Sequence, residues 1–108
     1  MTYNKTITLT FYRRDSFMTH VKLTVQGKVQ HVGFRITTKM VADRLRIKGI
    51  VKNLPDGSVY IEATGDETKL KKFISLVEAS PTPSGRVDNM IIDFVDVLPN
   101  YTAFDVTY

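Results

Sequence analysis

The spacing of apolar residues changes along this chain from a strand period to a helix period, and that change limits the fold more than any other feature. In residues 21–25 apolar and polar residues alternate, which is typical of a strand with one buried face. The next core positions have helical spacing: Phe34, Thr38, Val41, Ala42 and Leu45. We expect this helix to end near Lys48-Gly49, with Gly49 as a left-handed cap.

The rest of the chain continues the alternation of strands and helices. Residues 50–54 and 58–63 are short strand-like runs, and Pro55-Asp56-Gly57 between them is typical of a hairpin turn. A second helix should begin with Asp66 as its N-cap. Its apolar stripe follows helical spacing: Leu70, Phe73, Ile74 and Val77.

Two strand-forming runs follow that second helix. After a loop containing two prolines, residues 87–97 and 102–108 are rich in strand formers. The order is therefore β-α-β-β-α-β with an extra terminal strand. This order predicts a ferredoxin-like α/β sandwich of the α+β class, in which two helices cover one face of an antiparallel sheet.

Composition excludes several kinds of chemistry. The chain has 108 residues, 43% of them apolar, which suits one compact domain. It has no cysteine and two histidines, so we expect neither a metal nor another cofactor. The net charge of +4 favours anionic partners only mildly. No apolar run reaches the ~20 residues of a membrane span, so we expect no membrane contact and take the cytoplasm as the default location. We also expect a monomer.

The first residues stand apart from this unit. We divide the chain into an N-terminal extension over residues 1–19, whose role the sequence does not reveal, and a folded domain over residues 20–108. The extension contains a short alternating run, so it could add an edge strand or stay mobile. Met18 stands just before the first core strand, and we hypothesise that translation begins there.

The connection between the first strand and the first helix is a candidate anion site. Residues 27–35 read GKVQHVGFR, in which Gln30, His31, Val32, Gly33 and Phe34 form the loop that enters the helix. Such a loop can point backbone N–H groups into one concavity, and the helix N-terminus adds a favourable potential for negative charge. Arg35 follows in the first turn, where its planar fork could bind two phosphate oxygens, although an exposed arginine there is often merely solvated.

Asn53 is the second candidate functional residue. It lies in the run GIVKNLPDGSV at residues 49–59, on the strand that follows the first helix. In the predicted topology this strand brings its side chains close to the anion loop. An amide can accept a hydrogen bond from water and donate one to an anion. The alternative is that Asn53 caps the hairpin turn.

Together these two runs resemble the paired signatures of the acylphosphatase family, and the resemblance covers about residues 20–108. It implies a hydrolase of acid anhydrides that cleaves acyl phosphates into a carboxylate and inorganic phosphate. By position, Arg35 would be the catalytic arginine that binds phosphate and Asn53 would orient the attacking water. The loop residues Gln30, His31, Val32, Gly33 and Phe34 would bind substrate. The implied mechanism is in-line attack of water on phosphorus, without metal or cofactor.

His31 stands where the family's loop usually has glycine. Glycine admits positive φ and a close approach of the backbone to an anion, whereas histidine carries a Cβ cost there. Three interpretations stay open. The replacement is tolerated with activity retained, or it weakens activity through backbone strain, or the imidazole adds a contact to substrate.

Two other functions compete with hydrolysis. One is a catalytically weakened module that keeps the anion site, and the other is a module that binds single-stranded RNA on a βαββαβ sheet. The RNA-binding signature requires a basic-Gly-aromatic-Gly-Phe-like run in the third strand, whereas residues 57–62 read GSVYIE. We therefore expect no nucleic-acid partner.

Overall fold

The computed structural model describes residues 18–108, which form a five-stranded sheet and two helices. The elements are β1 Met18–Lys28, α1 Phe34–Arg44, β2 Lys48–Asn53, β3 Val59–Asp66, α2 Glu67–Glu78, β4 Arg86–Val95 and β5 Phe104–Val106. Of the predicted extension, residues 1–17 lie outside this described part, and Met18 and Thr19 belong to β1. Within the described residues, neither helix combines the length and the apolar character that a membrane crossing requires.

The sheet has the strand order β4-β1-β3-β2-β5. β1 is antiparallel to both β3 and β4, and β2 is antiparallel to β3, so the predicted βαββαβ order and ferredoxin-like fold are confirmed. The terminal strand differs from its neighbours because β5 runs parallel to β2. The sheet is therefore mixed, with an antiparallel centre and one parallel edge.

Alternation along the strands places the core on a single face of the sheet. Val21, Leu23 and Val25 are fully buried, whereas the residues between them are only half-buried. On this face they belong to the same core cluster as the buried stripe of α2. Phe73 of that stripe contacts Phe104 of β5 edge to face, with 5.8 Å between the ring centroids. Both helices therefore cover the same face, as the spacing predicts.

The predicted end of the first helix is wrong. α1 ends at Arg44, and Arg46 takes the left-handed conformation with φ 58°. Ile47 N–H donates to the Ala42 carbonyl at 2.8 Å and Arg46 N–H to the Asp43 carbonyl at 3.2 Å, which is a Schellman motif closed by arginine where glycine is usual. Burial of Ile47 in the core holds this turn, so the helix stops before the glycine.

Gly49 serves a different purpose from the predicted cap. It lies inside β2, where an added Cβ would come within 1.8 Å of the Glu62 carbonyl oxygen. Glycine is therefore needed there because β2 and β3 approach each other closely.

The hairpin turn and the cap of α2 are as predicted. Leu54 N–H donates to the Ser58 carbonyl at 2.9 Å, and the Asp56 carboxylate accepts from both the hydroxyl and the N–H of Ser58. These bonds, with the hydroxyl contributing most, hold the pKa of Asp56 below its usual value. The Asp66 side chain accepts from Lys69 N–H at the start of α2.

The segment before β5 is tied to the middle of the sheet. The Tyr101 hydroxyl donates to Glu62, and Lys48 Nζ donates to the Thr102 carbonyl at 3.2 Å. Burial raises the pKa of Tyr101 to about 12, with a further contribution from Glu62. At the other end of β5, Thr107 N–H donates to the Val51 carbonyl at 2.8 Å. These contacts set where the chain's last residues lie.

Candidate active site

A pocket of about 140 Å³ opens between the loop after β1 and the end of β2. We call it the loop pocket, and its lining residues are Val29, His31, Gly33, Phe34, Arg35, Ile36 and Asn53. Arg35 and Asn53, proposed from sequence as the catalytic pair, thus share one pocket. Three of the five predicted loop residues also line it, whereas Gln30 and Val32 do not.

The loop pocket owes its shape to two residues with positive φ. His31 has φ 65° and Gly33 has φ 80°, both in the left-handed region. Gly33 is the N-cap of α1 and supplies no capping side chain, and the first turn carries no acidic residue. Unpaired N–H groups at a helix start attract anions. The backbone here is therefore suited to negative charge.

Gln30 and Val32 support the loop from outside the pocket. Gln30 Nε2 donates to the carbonyls of Leu54 and Ser58, at 2.8 and 2.9 Å. The Val32 side chain packs against the core, and its carbonyl accepts from the hydroxyl of buried Thr82 at 3.1 Å. Gln30 thereby joins the loop to the hairpin directly beside Asn53.

Asn53 is the last residue of β2, and it lines the loop pocket. Its Oδ1 is buried and lacks a hydrogen-bond donor in the described part of the chain. The hairpin-capping role considered for Asn53 is filled by Asp56. A buried acceptor without a partner costs about 1–3 kcal/mol. A ligand that donates a hydrogen bond would remove that cost.

The C-terminal residues hold Arg35 in place. Its Nη1 donates to the Thr107 carbonyl at 3.2 Å, and its guanidinium carbon lies 4.7 Å from the centre of the Tyr108 ring. Because a guanidinium has five N–H donors, this contact orients the fork and leaves donors for an anion. Sequence reasoning missed both residues, since no local signal links positions so far apart in the chain.

For the acyl phosphate substrate that the sequence resemblance implies, we predict that Tyr108→Ala lowers kcat/KM by about threefold, the size of a cation–π contact at an exposed site. Tyr108→Phe keeps the ring and should retain full activity. Steady-state kinetics of both variants checks this prediction. Equal activity in Tyr108→Ala and the parent would show that the ring does not position Arg35.

Two apolar lining residues were also missed. Val29 is buried, whereas Ile36 in the first turn of α1 is 56% exposed. Ile36 does not belong to the apolar face of the predicted helix, and an isoleucine outside that face was the sequence signal that could have identified it. Both residues line the loop pocket.

The ferredoxin-like sandwich and the strand-loop-helix pocket together define a small α/β domain built to hold an anion. The sequence profile of the acylphosphatase family matches residues 21–106. The chain is 62% identical over 71 residues to an acylphosphatase of Latilactobacillus sakei, covering 66% of this chain and 77% of the relative. An acylphosphatase of Lactobacillus gasseri is 47% identical over 91 residues, which cover 84% of this chain and all of the relative. The chain belongs to the acylphosphatase family.

Solved structures agree with this assignment. The crystal structure of acylphosphatase from Bacillus subtilis matches with a TM-score of 0.80 at 33% identity, over 83% of this chain and 99% of that one. An acylphosphatase from Coxiella burnetii also gives 0.80, at 30% identity, over 86% and 96% of the two chains. The RNA-binding and weakened-module alternatives are not favoured.

Proposed function

We propose that this acylphosphatase hydrolyses acyl phosphates by direct attack of water on phosphorus, with Arg35 and Asn53 as the catalytic residues. The water oxygen bonds to phosphorus, and the bond from phosphorus to the carboxylate oxygen breaks. The carboxylate leaves, and the inorganic phosphate keeps the oxygen and both protons of the water. The observation that carries this proposal is that Arg35 and Asn53 line the same pocket, together with the Asn53 Oδ1 that has no hydrogen-bond partner among the described residues.

The phosphoryl group would bind at the start of α1. His31, Gly33 and Phe34 line the pocket there, with N–H groups at the helix N-terminus and the Arg35 fork as donors. Charge spreads over the phosphoryl oxygens in the transition state, and preorganised donors stabilise it there. Gln30 and Val32 would act by holding the loop, since their side chains contact the hairpin and the core.

Asn53 would orient the water. A water between its Oδ1 and the phosphoryl group supplies the donor that this acceptor lacks, and its oxygen then faces phosphorus. The amide carries no charge, so it positions water without taking its proton. A phosphoryl oxygen can accept that proton.

We propose that no metal or cofactor takes part, because a carboxylate is already a good leaving group and positioning supplies most of the remaining catalysis. Purified protein should hydrolyse benzoyl phosphate equally well with and without a chelator. Inorganic phosphate, the product, should inhibit competitively. Activity that requires added metal, or no hydrolysis at all, would contradict the proposal.

We also propose that the described residues contain the whole catalytic unit and that it works as a cytoplasmic monomer. Alignment with the Lactobacillus gasseri relative spans 91 residues and covers all of that protein. We predict that a chain starting at Met18 keeps kcat/KM within about twofold of the full chain, because residues 18–108 contain the loop pocket with Arg35 and Asn53. Loss of folding or activity on truncation would show that the preceding segment has a role. Light scattering of both forms measures their molar mass and so tests whether the protein is a monomer.

A further inference from the structure

The loop between α2 and β4, residues 79–85, contacts the backbone of the loop pocket. Thr82 of this loop is buried, and its hydroxyl donates to the Val32 carbonyl at 3.1 Å. Val32 does not line the pocket, but His31 and Gly33 on either side of it do. The bond therefore joins the backbone of the pocket to a segment 50 residues further along the chain.

The Val32 carbonyl and the Gly33 N–H belong to one peptide group. The described residues contain no cis peptide bond, and in a trans peptide the carbonyl and the N–H point in opposite directions. Because the carbonyl is directed at Thr82, the Gly33 N–H points away from Thr82. In the turns and loops of residues 18–108 no backbone carbonyl accepts from this N–H. An anion in the pocket can supply that acceptor.

Local sterics do not fix the direction of this peptide group. Turning it over changes mainly ψ of Val32 and φ of Gly33, and glycine adopts positive and negative φ about equally readily. Gly33 has φ 80° in the observed arrangement. A peptide turned over would present the Val32 carbonyl to the anion in place of the N–H. The bond from Thr82 opposes that change because it holds the carbonyl.

Thr82 is itself held by hydrogen bonds within its own loop. Its hydroxyl accepts from Ser84 N–H at 3.4 Å, and its single hydroxyl proton goes to Val32. Its carbonyl accepts from the Ser80 hydroxyl at 2.8 Å and from Gly85 N–H at 3.1 Å. The position of the Thr82 hydroxyl is therefore set before any anion binds.

We propose that Thr82 is a positioning residue for hydrolysis, which holds the Val32 carbonyl and thereby directs the Gly33 N–H at the phosphoryl group. The inference rests on the proposed function. A preorganised N–H stabilises the charge on phosphoryl oxygens without having to reorient during the reaction. Thr82 acts through the backbone and does not touch the substrate. Its loss should therefore weaken the binding of phosphate as well as hydrolysis.

The test compares Thr82→Val and Thr82→Ser with the parent, with benzoyl phosphate as substrate and inorganic phosphate as inhibitor. Valine keeps the shape of the side chain and removes the hydroxyl, whereas serine keeps the hydroxyl. We expect Thr82→Val to lower kcat/KM about tenfold and to raise the inhibition constant of phosphate by a similar factor, near the lower end for a hydrogen bond to a charged group. Thr82→Ser should recover most of both losses.

Thr64→Val is the matched control. Thr64 Oγ1 lies 2.8 Å from His20 Nδ1, and His20 is near the start of β1, whereas the loop pocket follows the end of that strand. The substitution also removes a side-chain hydrogen bond, but it should leave kcat/KM and phosphate inhibition unchanged. Urea unfolding measures the free energy of unfolding of each variant. Lower stability of Thr82→Val with unchanged phosphate inhibition would make Thr82 a structural residue only and overturn the proposal.

Nuclear magnetic resonance of the parent tests the same contact without any substitution. Titration with inorganic phosphate should shift the Gly33 amide proton in the parent and in Thr82→Ser, and shift it less in Thr82→Val. Equal losses of activity in the valine and serine variants, or a Gly33 amide that phosphate does not shift in an active parent, overturn the role of Thr82 alone. A parent that does not hydrolyse benzoyl phosphate overturns the proposed function and this inference with it.

Discussion

Replacing Arg35 with alanine is expected to lower kcat/KM for benzoyl phosphate on the order of 10³-fold, the scale of an arginine that stabilises a transferring phosphoryl group. Arg35 lines the loop pocket at the start of α1, and its fork is oriented by the Thr107 carbonyl and the Tyr108 ring. Alanine removes charge and directed donors together. Steady-state kinetics gives the loss, and inhibition by inorganic phosphate should weaken in parallel.

Two further variants separate geometry from charge in this experiment. Arg35→Lys keeps the charge but loses the planar fork, so it should recover only a small part of the activity. Arg44→Ala removes an exposed arginine from the other end of α1 and should leave activity unchanged. Full activity in folded Arg35→Ala would remove Arg35 from the mechanism.

Replacing Asn53 with alanine is expected to lower kcat by about 10²-fold with little change in KM, since the loss is of a group that positions water in the transition state. The same variant should be as stable as the parent or more stable. Its Oδ1 has no hydrogen-bond partner in the described residues, so alanine removes an unsatisfied buried acceptor. Kinetics and urea unfolding of the same preparation measure both effects.

Asn89→Ala is the matched amide control. Asn89 is exposed on β4, and its Nδ2 donates to Gln26 Oε1 at 2.8 Å. Its replacement should leave kcat unchanged and slightly lower the free energy of unfolding. If Asn53→Ala instead strongly lowered the free energy of unfolding and left kcat unchanged, Asn53 would be a structural residue.

These opposite effects on rate and stability follow from one feature of Asn53. A buried acceptor left without a donor is unfavourable in the folded protein and is retained where function needs it. The same holds for His31, whose left-handed backbone favours glycine. The loop pocket thus contains two local departures from stability. Others lie outside it, because Arg46 and Ser80 also have positive φ and the buried Thr38 Oγ1 also has no partner among the described residues.

The sequence predicted the elements with strong local signals. Alternation in β1, the stripe and Asp66 cap of α2, and the Pro55-Asp56-Gly57 turn all appear where the pattern places them. The end of α1 was missed because Arg46, not Gly49, takes the left-handed position. Burial of the neighbouring Ile47 decides that turn, and local propensity does not report it.

By itself the sequence determined the order of strands and helices, and through its two signature runs it determined the family and the candidate pair Arg35 and Asn53. Tertiary structure alone decided that β5 joins β2 in parallel and so carries the C-terminal residues to the guanidinium of Arg35. It also decided that Ile36 lines the loop pocket. Hydrophobic period and turn chemistry act between near neighbours in the chain, whereas these contacts exist only after the sheet has brought distant segments together.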